Sequence, residues 1–148
     1  MHTIFNEKKM KFQPKKINAV NFRAFGRVIE YPRKKGKPGR RNLFRVVLRE
    51  KEAFGWRIAY LVVRDNKLCR LEQHLHTFES FEPVKGKSLI YLAREKDPGS
   101  IECFYLDRPV VLNKGIWHGV VTLDGESEIK ISENASVRSI YWRLGFYL

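Results

Sequence analysis

Short apolar segments alternate with turn signals from residue 22 to residue 148, and this spacing predicts a series of strands. The candidate strands are residues 44–48, 56–63, 88–93, 101–106, 110–112, 120–123 and 127–131. Residues 96–99 (KDPG) and Gly125 predict turns between them. Residues 141–148 are open to two interpretations, a strand or a short helix. No helical segments separate the strands, as a parallel α/β fold would require.

One segment near the N-terminus has a helical pattern. Residues 18–25 could form two helical turns with Asn18 as the cap. The sequence therefore predicts an all-β fold, a sandwich or barrel, with a minor helical fringe. A chain of 148 residues with 43% hydrophobic composition has the size of one domain. We expect residues 1–18 to form a basic N-terminal arm and residues 19–148 to form that single domain.

Charge changes the picture only in the first third of the chain. The formal net charge is +13, and it is concentrated in two clusters: Lys8, Lys9, Lys11, Lys15 and Lys16, then Arg33, Lys34, Lys35, Lys37, Arg40 and Arg41. Such charge attracts anions. The second cluster has no interleaved aromatic residues on which bases could stack, so solvated loops are favoured over a nucleic-acid partner.

The remaining composition points to the cytoplasm. Cys69 and Cys103 do not form a CxxC motif, and two thiols do not make a disulfide framework, so we expect reduced, buried cysteines. No apolar run approaches the roughly 18 residues of a membrane helix. No apolar region follows the basic N-terminus, so the sequence predicts neither a secretory signal nor membrane association.

Histidine and glutamate are concentrated at one place in this basic chain. Glu72 and His74 are two residues apart and share a face if they lie on a strand. Glu79 returns on the next predicted strand, and His118 follows Gly115 at the start of a later one. If these segments pair across a barrel interior, the four side chains converge.

This spacing resembles the two motifs of the cupin superfamily. Glu72-x-His74, four residues, Glu79, six residues and Gly86 fit the first motif, with Glu72 in place of its first histidine. Gly115-Ile116-Trp117-His118 fits the end of the second. The resemblance implies a jelly-roll barrel, the cupin double-stranded β-helix, that often holds a divalent metal.

A finer resemblance is to the ureidoglycolate lyase family, which splits ureidoglycolate into glyoxylate and urea. It is carried by the segments FGRVIE (residues 25–30), EQH (72–74) with F-x-P (81–83), and KGIWH (114–118). Several family positions differ. Gln73 replaces an arginine, Leu75 a proline, Glu79 a glutamine, Leu112 a tyrosine and Asn113 a histidine, and Glu128 loosely matches the family's C-terminal acid.

The change to Glu79 favours a metal site. Two carboxylates and two imidazoles in a partly buried site repel one another without a cation. We expect Glu72, His74, Glu79 and His118 to bind a divalent metal, with Mn, Fe, Ni and Zn all compatible. His74, His118 and Glu79 are the candidate catalytic groups. Lys114 could anchor an anionic substrate, or could be a solvent-facing turn lysine.

Two nearby residues are weaker candidates. His76 has the strand parity of His74, but taking His74 and His76 as the ligand pair leaves no glutamate at the right distance. Glu82 is expected on the outer face.

Two functions remain open at this point. One is a metal-dependent lyase or hydrolase acting on a small anionic ureido or 2-hydroxy acid. The other is a cupin that binds a sugar acid or other small anion without turnover. In either case we expect a homodimer, with the basic arm and the aromatic tail available for pairing.

Overall fold

A computed structural model describes residues 6–32, 39, 41–52 and 54–148. These residues contain no helix, and so none that is long and apolar enough to cross a membrane. They form the strands β1 (Asn6–Lys9), β2 (Lys15–Lys16), β3 (Gly26–Val28), β4 (Arg57–Val63), β5 (Arg70–Gln73), β6 (Glu79–Lys85), β7 (Ser88–Arg94), β8 (Asp97–Tyr105), β9 (Val110–Leu112), β10 (Trp117–Thr122), β11 (Ser127–Glu133), β12 (Ile140–Arg143) and β13 (Phe146–Tyr147).

The eight strands from β4 to β11 are nested in pairs. β4 pairs with β11, β5 with β10, β6 with β9 and β7 with β8, all antiparallel. The chain is thus one long hairpin, and the β7–β10 and β6–β11 pairings roll it into two sheets. This is the topology of a jelly roll, the architecture found in cupins. The all-β jelly-roll class predicted from the sequence is confirmed.

The outer strands extend these sheets. One sheet has the order β12-β5-β10-β7-β8-β2, the other has the order β3-β9-β6-β11-β4, and β1 pairs with β13. β4 therefore lies at the margin of the second sheet among the described residues. This margin becomes important because Arg57 begins β4.

Strand β7 shows why the sequence forms two layers of core. Its segment SLIYLA is buried on both faces, as a short continuous apolar run predicts. Ile90 and Leu92 lie in the core between the two sheets, which we call the main core. Leu89 and Tyr91 lie in a second core, on the opposite face of their strand, that also contains Trp117 and Leu148.

Residues 18–25 fold as successive turns rather than as the helix expected from the sequence. Asn18 does cap them, because its Oδ1 accepts hydrogen bonds from the backbone N–H of Val20 and of Asn21. The turns place Phe22 and Phe25 inside the barrel, where both are fully buried. Burial of the two rings, not helix propensity, therefore decides the conformation.

Two local predictions were wrong. Residues 44–48 were predicted as a strand, but no strand forms there and Phe44 is 89% exposed. Their apolar composition is strand-like, but the segment pairs with no strand of the described structure, and the Val47 carbonyl accepts a hydrogen bond from the Arg27 side chain. The turn predicted at residues 96–99 occurs at Glu95 and Lys96, and Asp97 already pairs with Arg94.

The structure bears only in part on the predictions for the basic segments, the domain boundary, the cysteines and the C-terminal segment. The basic segment 33–41 lies outside the described residues except for positions 39 and 41. The boundary at residue 18 stays a prediction, although Ile17 is buried in the main core. Cys103 is buried and Cys69 is half-buried, and both are free thiols. Residues 141–148 contribute to two strands, which settles the choice between strand and helix.

Candidate metal centre

Strand register brings the predicted side chains together from both sheets. In the first sheet, Glu72 on β5 lies directly opposite His118 on β10. In the second, Glu79 on β6 lies directly opposite Glu133 on β11. His74 follows β5 and has the same parity as Glu72. We call Glu72, His74, Glu79, His118 and Glu133 the polar cluster.

The backbone around His74 holds the two motif segments together. Gly115 donates its N–H to the His74 carbonyl at 2.8 Å. The Gly115 carbonyl accepts a hydrogen bond of 2.8 Å from Nε2 of buried Gln73. Gly115 has φ +85°, and a Cβ there would meet the Glu95 side chain at 2.7 Å. The sequence therefore requires glycine at this turn, and Gln73 has a structural role beside the site.

Glu79 is the carboxylate shared by both histidines. Its Oε2 lies 3.3 Å from Nε2 of His74 and 3.1 Å from Nε2 of His118. Nε2 of His118 is also 3.7 Å from Oε1 of Glu72. The two imidazole rings are 5.1 Å apart, centroid to centroid. All four residues predicted from the sequence therefore converge.

The outer nitrogen of each imidazole is fixed by a backbone carbonyl. Nδ1 of His74 lies 2.9 Å from the Arg138 carbonyl, and Nδ1 of His118 lies 3.0 Å from the Ile116 carbonyl. A carbonyl only accepts, so each Nδ1 carries the hydrogen. Both Nε2 atoms then face the polar cluster, which is the arrangement that metal-binding histidines adopt.

The donor set fits a divalent cation. Three buried atoms of the polar cluster make no well-aligned hydrogen bond within the described structure: Oε1 of Glu133, and Nε2 of His118 and Oε2 of Glu79, which face each other at 3.1 Å as an ion pair. Buried polar atoms rarely remain unpaired. Ligand atoms of Glu72, His74 and His118 all lie within 4.8 Å of one another, and so do those of His74, Glu79 and Glu133. A cation placed among them would satisfy the unpaired atoms.

The electrostatics of the metal-free chain show what such a cation would replace. Burial lowers the pKa of His74, but contact with Glu79 outweighs it and raises the pKa to about 9. Burial acts in the same sense on His118, and the charge of Glu79 again raises its pKa overall. Burial raises the pKa of Glu79, but the charges of His118 and His74 lower it to about 2. Protons on the imidazoles therefore compensate the buried carboxylate.

A cavity of about 380 Å³ opens beside the polar cluster. Glu72, Glu79 and His118 line it, together with Phe81, Ile131 and Tyr141. Arg70 also lines it, and its guanidinium lies 4.2 Å above the centre of the Tyr141 ring. The cavity thus combines carboxylates and an imidazole with an oriented cation at its wall.

Three of the residues considered from the sequence lie elsewhere. His76 is exposed and does not line this cavity. Lys114 does not line this cavity either. Its Nζ lies 2.6 Å from the Glu50 carboxylate and 5.1 Å from the centre of the Phe78 ring. Glu82 pairs with Lys130, as expected for the outer face of β6.

Arg70 and Glu133 also belong to the site, although neither was predicted from the sequence. The alternation of SEIKI continues through Ser132 and Glu133, so extending the strand by one more period would have placed Glu133 on the inner face with Ile129 and Ile131. Arg70 has the parity of Glu72, two residues before it. The two-residue spacing of inward-facing positions along each strand could therefore have identified both residues.

Neither a protein-family model nor a curated protein matches the sequence. The chain is similar in structure to the capsular polysaccharide assembling protein CapF of Staphylococcus aureus, with 18% identity, 58% of this chain and 26% of that chain covered, and a TM-score of 0.47. The corresponding values for oxalate decarboxylase of Bacillus subtilis are 15%, 62%, 24% and 0.47. For a dTDP sugar isomerase of Desulfovibrio desulfuricans they are 17%, 74%, 73% and 0.44. The chain thus spans about a quarter of the length of the first two proteins.

Proposed function

We propose that the protein is a metal-dependent cupin enzyme that acts on a small anionic ureido or 2-hydroxy acid, with cleavage of ureidoglycolate as the first reaction to test. The observation that carries the proposal is the set of convergent buried ligand atoms, several without a well-aligned hydrogen bond, beside a cavity with a cationic wall. The sequence resemblance to ureidoglycolate lyases supplies the choice of substrate.

Glu72, His74, Glu79 and His118 would hold the metal. Bound there, a divalent cation would act as a Lewis acid that polarises a substrate oxygen. Mn, Fe, Ni and Zn are the candidates, since histidine and carboxylate ligands suit all four. The buried positions of His74, Glu79 and His118 exclude water from one side of the site.

Arg70 is the better-placed anchor for the substrate carboxylate. It lines the cavity, and stacking on Tyr141 orients its guanidinium. A guanidinium binds a carboxylate through two parallel hydrogen bonds. Lys114 remains the anchor that the sequence suggested, but Glu50 already engages its ammonium group.

Glu72 is the residue best placed to move the proton. Its side chain is 36% exposed and lines the cavity, whereas that of Glu79 is 7% exposed. In the proposed reaction the oxygen of Glu72 that would not bind the metal accepts the proton of the carbinol hydroxyl. The carbinol carbon then forms the carbonyl of glyoxylate, the C–N bond breaks with its electron pair on nitrogen, and Glu72 returns the proton to urea.

The first experiment measures metal content and turnover together. Chain purified without added metal or an affinity tag should carry about one transition metal per molecule and release urea from ureidoglycolate. Arg70→Ala should raise KM by about 10-fold to 100-fold, the loss of a charge-assisted hydrogen bond. Arg143→Ala is the matched control, since Arg143 lies directly opposite Arg70 but does not line the cavity. No metal after loading with Mn, Ni or Zn would refute the proposal.

The alternative is a cupin that binds a small anion without turnover. One observation favours it: where the lyase family has a tyrosine and a histidine, this chain has Leu112, buried in the main core, and Asn113, which is exposed. Neither can move a proton into the cavity. Calorimetric binding of glyoxylate or a sugar acid, with ureidoglycolate bound but unchanged, would establish this function.

A homodimer is part of the proposal, with β4 as its contact. Ile58, Tyr60 and Val62 are exposed on this marginal strand, and Arg57 is the one charged residue of 54–63. Two strongly positive chains can therefore meet here without opposing like charges. Light scattering should give a dimer mass for the native chain and a monomer mass for Tyr60→Glu. A monomeric native chain would refute this part.

A further inference from the structure

Glu133 is a buried carboxylate that none of the cupin-like motifs contains. Its side chain is 5% exposed, and β11 places it directly opposite Glu79 on β6 and Arg57 on β4. Arg57, Glu133 and Glu79 therefore form a row across three neighbouring strands. One end of the row reaches the margin of the sheet and the other reaches the polar cluster.

The two oxygens of Glu133 are in different situations. Oε2 accepts hydrogen bonds from Arg57 Nε at 3.1 Å and from Arg57 Nη2 at 2.8 Å. Oε1 is buried and has no hydrogen-bond partner among the described residues. A carboxylate held on one oxygen cannot turn freely, so Arg57 fixes the direction of the unpaired oxygen.

A ligand atom of Glu133 lies within 4.8 Å of ligand atoms of both His74 and Glu79. We propose that Glu133 is a further metal ligand of this site and that Arg57 is the positioning residue that aims it. The inference rests on the proposed function, because it requires that the polar cluster binds a metal.

Charge balance supports this assignment. The salt bridge with Arg57 is itself neutral, so Glu133 adds a ligand oxygen without adding net charge to the buried site. With Glu72 and Glu79, three carboxylates then balance a divalent cation and one guanidinium. Burying an unpaired third carboxylate would otherwise be costly.

The test measures metal affinity and ligand number with Mn²⁺ and Co²⁺ on the full chain. Glu133→Gln keeps the shape and removes the charge, and it should weaken Mn²⁺ binding about 10-fold to 100-fold by calorimetry. It should also change the visible absorption of bound Co²⁺, which responds to coordination geometry. Glu128→Gln is the matched control, because Glu128 lies on the same strand with the opposite parity, near Lys85.

A second variant leaves the ligand in place and removes its support. Arg57→Gln should weaken Mn²⁺ binding less than Glu133→Gln does, and Arg57→Lys should recover part of the loss. This pair of variants keeps the inference testable if Glu133→Gln does not fold. A structural salt bridge alone would lower the melting temperature in these variants without moving the Co²⁺ spectrum.

The outcomes separate the two proposals. Unchanged Mn²⁺ affinity and Co²⁺ absorption in Glu133→Gln, with normal binding by the native chain, would overturn the role of Glu133 and leave the proposed function standing. A native chain that binds neither metal would overturn both.

Discussion

The barrel interior contains one region filled by aromatic rings and another lined by ionisable groups, and the two are stabilised differently. In the first, which we call the aromatic cluster, the Phe104 ring lies 5.6 Å from Phe22 and 5.8 Å from Phe25, centroid to centroid and edge to face. All three side chains are fully buried. Phenylalanine side chains have no polar atoms that need hydrogen-bond partners, so close packing of the rings is sufficient to stabilise this region.

The polar cluster has the opposite property. Four of its five side chains, all but that of Glu72, are as buried as many core residues, yet several of their polar atoms make no well-aligned hydrogen bond. Phe81 connects the two regions, because it belongs to the main core and its ring lies 5.5 Å from that of His118. One sequence thus encodes a region optimised for stability and a region in which a ligand would complete the interactions.

Truncating the aromatic cluster should have the largest effect on stability. Phe104→Ala removes a fully buried ring, so we expect the free energy of unfolding to fall by about 3–5 kcal/mol. Urea denaturation followed by tryptophan fluorescence measures it. The control is Phe54→Ala, because Phe54 is 86% exposed. Equal losses in the two variants would show that the aromatic cluster is not the stabilising core that burial indicates.

Metal should stabilise the chain through the polar cluster and only there. A metal that binds the folded state at about 100 times its Kd adds about 2.7 kcal/mol to the free energy of unfolding. We expect this gain in the native chain and a much smaller one in Glu79→Gln. Glu82→Gln, on the same strand but paired with Lys130 outside the barrel, should keep the full gain. Thermal unfolding with and without Mn²⁺ makes the comparison.

The pH dependence of the metal-free chain separates the regions further, since the aromatic cluster has no titrating group. Because the pKa of Glu79 is lowered from 4.5 to about 2, its contribution to stability is present above pH 4.5 and is lost as the pH falls towards 2. Because the pKa of His74 is raised from 6.5 to about 9, its contribution is complete below pH 6.5 and is lost as the pH rises through 9. These two groups therefore stabilise most between pH 4.5 and 6.5.

Denaturation at a series of pH values tests this window. The loss that His74 causes between pH 6.5 and 9 should be on the order of 2 kcal/mol. The total loss should therefore be smaller in His74→Gln, and what remains should be due to His118, whose pKa Glu79 also raises. His76→Gln should retain the total loss, because His76 is exposed. Metal affinity should change in the opposite direction and increase with pH, because a metal must displace the imidazole protons. A metal affinity that falls with rising pH would contradict this account of the polar cluster.

The sequence predicted most of the strands and the convergence of four site residues, but not every strand or every residue of the site. Period-two alternation and the glycine turns placed the strands, and the spacing of Glu72, His74, Glu79 and His118 placed the convergent site. Alternation alone could not show where a strand finds a partner. The segment around Phe44 therefore looked like a strand and is not one, while β11 continues to Glu133, which faces Glu79.

The missed residues share a physical reason. Arg70 and Glu133 acquire their positions from neighbours on other strands, Tyr141 and Arg57 respectively. Such cross-strand contacts depend on register, which depends on the whole topology. Lys114 shows the converse. Its place in a motif suggested a substrate contact, but its actual partner, Glu50, lies in a segment that no periodicity could place.

The smallest effect is expected from Lys114, which lies outside both regions. The charge of its ammonium group is engaged by Glu50 rather than directed into the cavity. Because partly exposed ion pairs contribute little to stability, Lys114→Ala should leave the unfolding transition, the Mn²⁺ affinity and the KM for ureidoglycolate close to those of the native chain. Glu50→Gln should behave in the same way. A large rise in KM for Lys114→Ala, with no change for Arg70→Ala, would make Lys114 the residue that binds the substrate carboxylate. The substrate would then approach from the turn before β10 instead of from the cavity beside Tyr141.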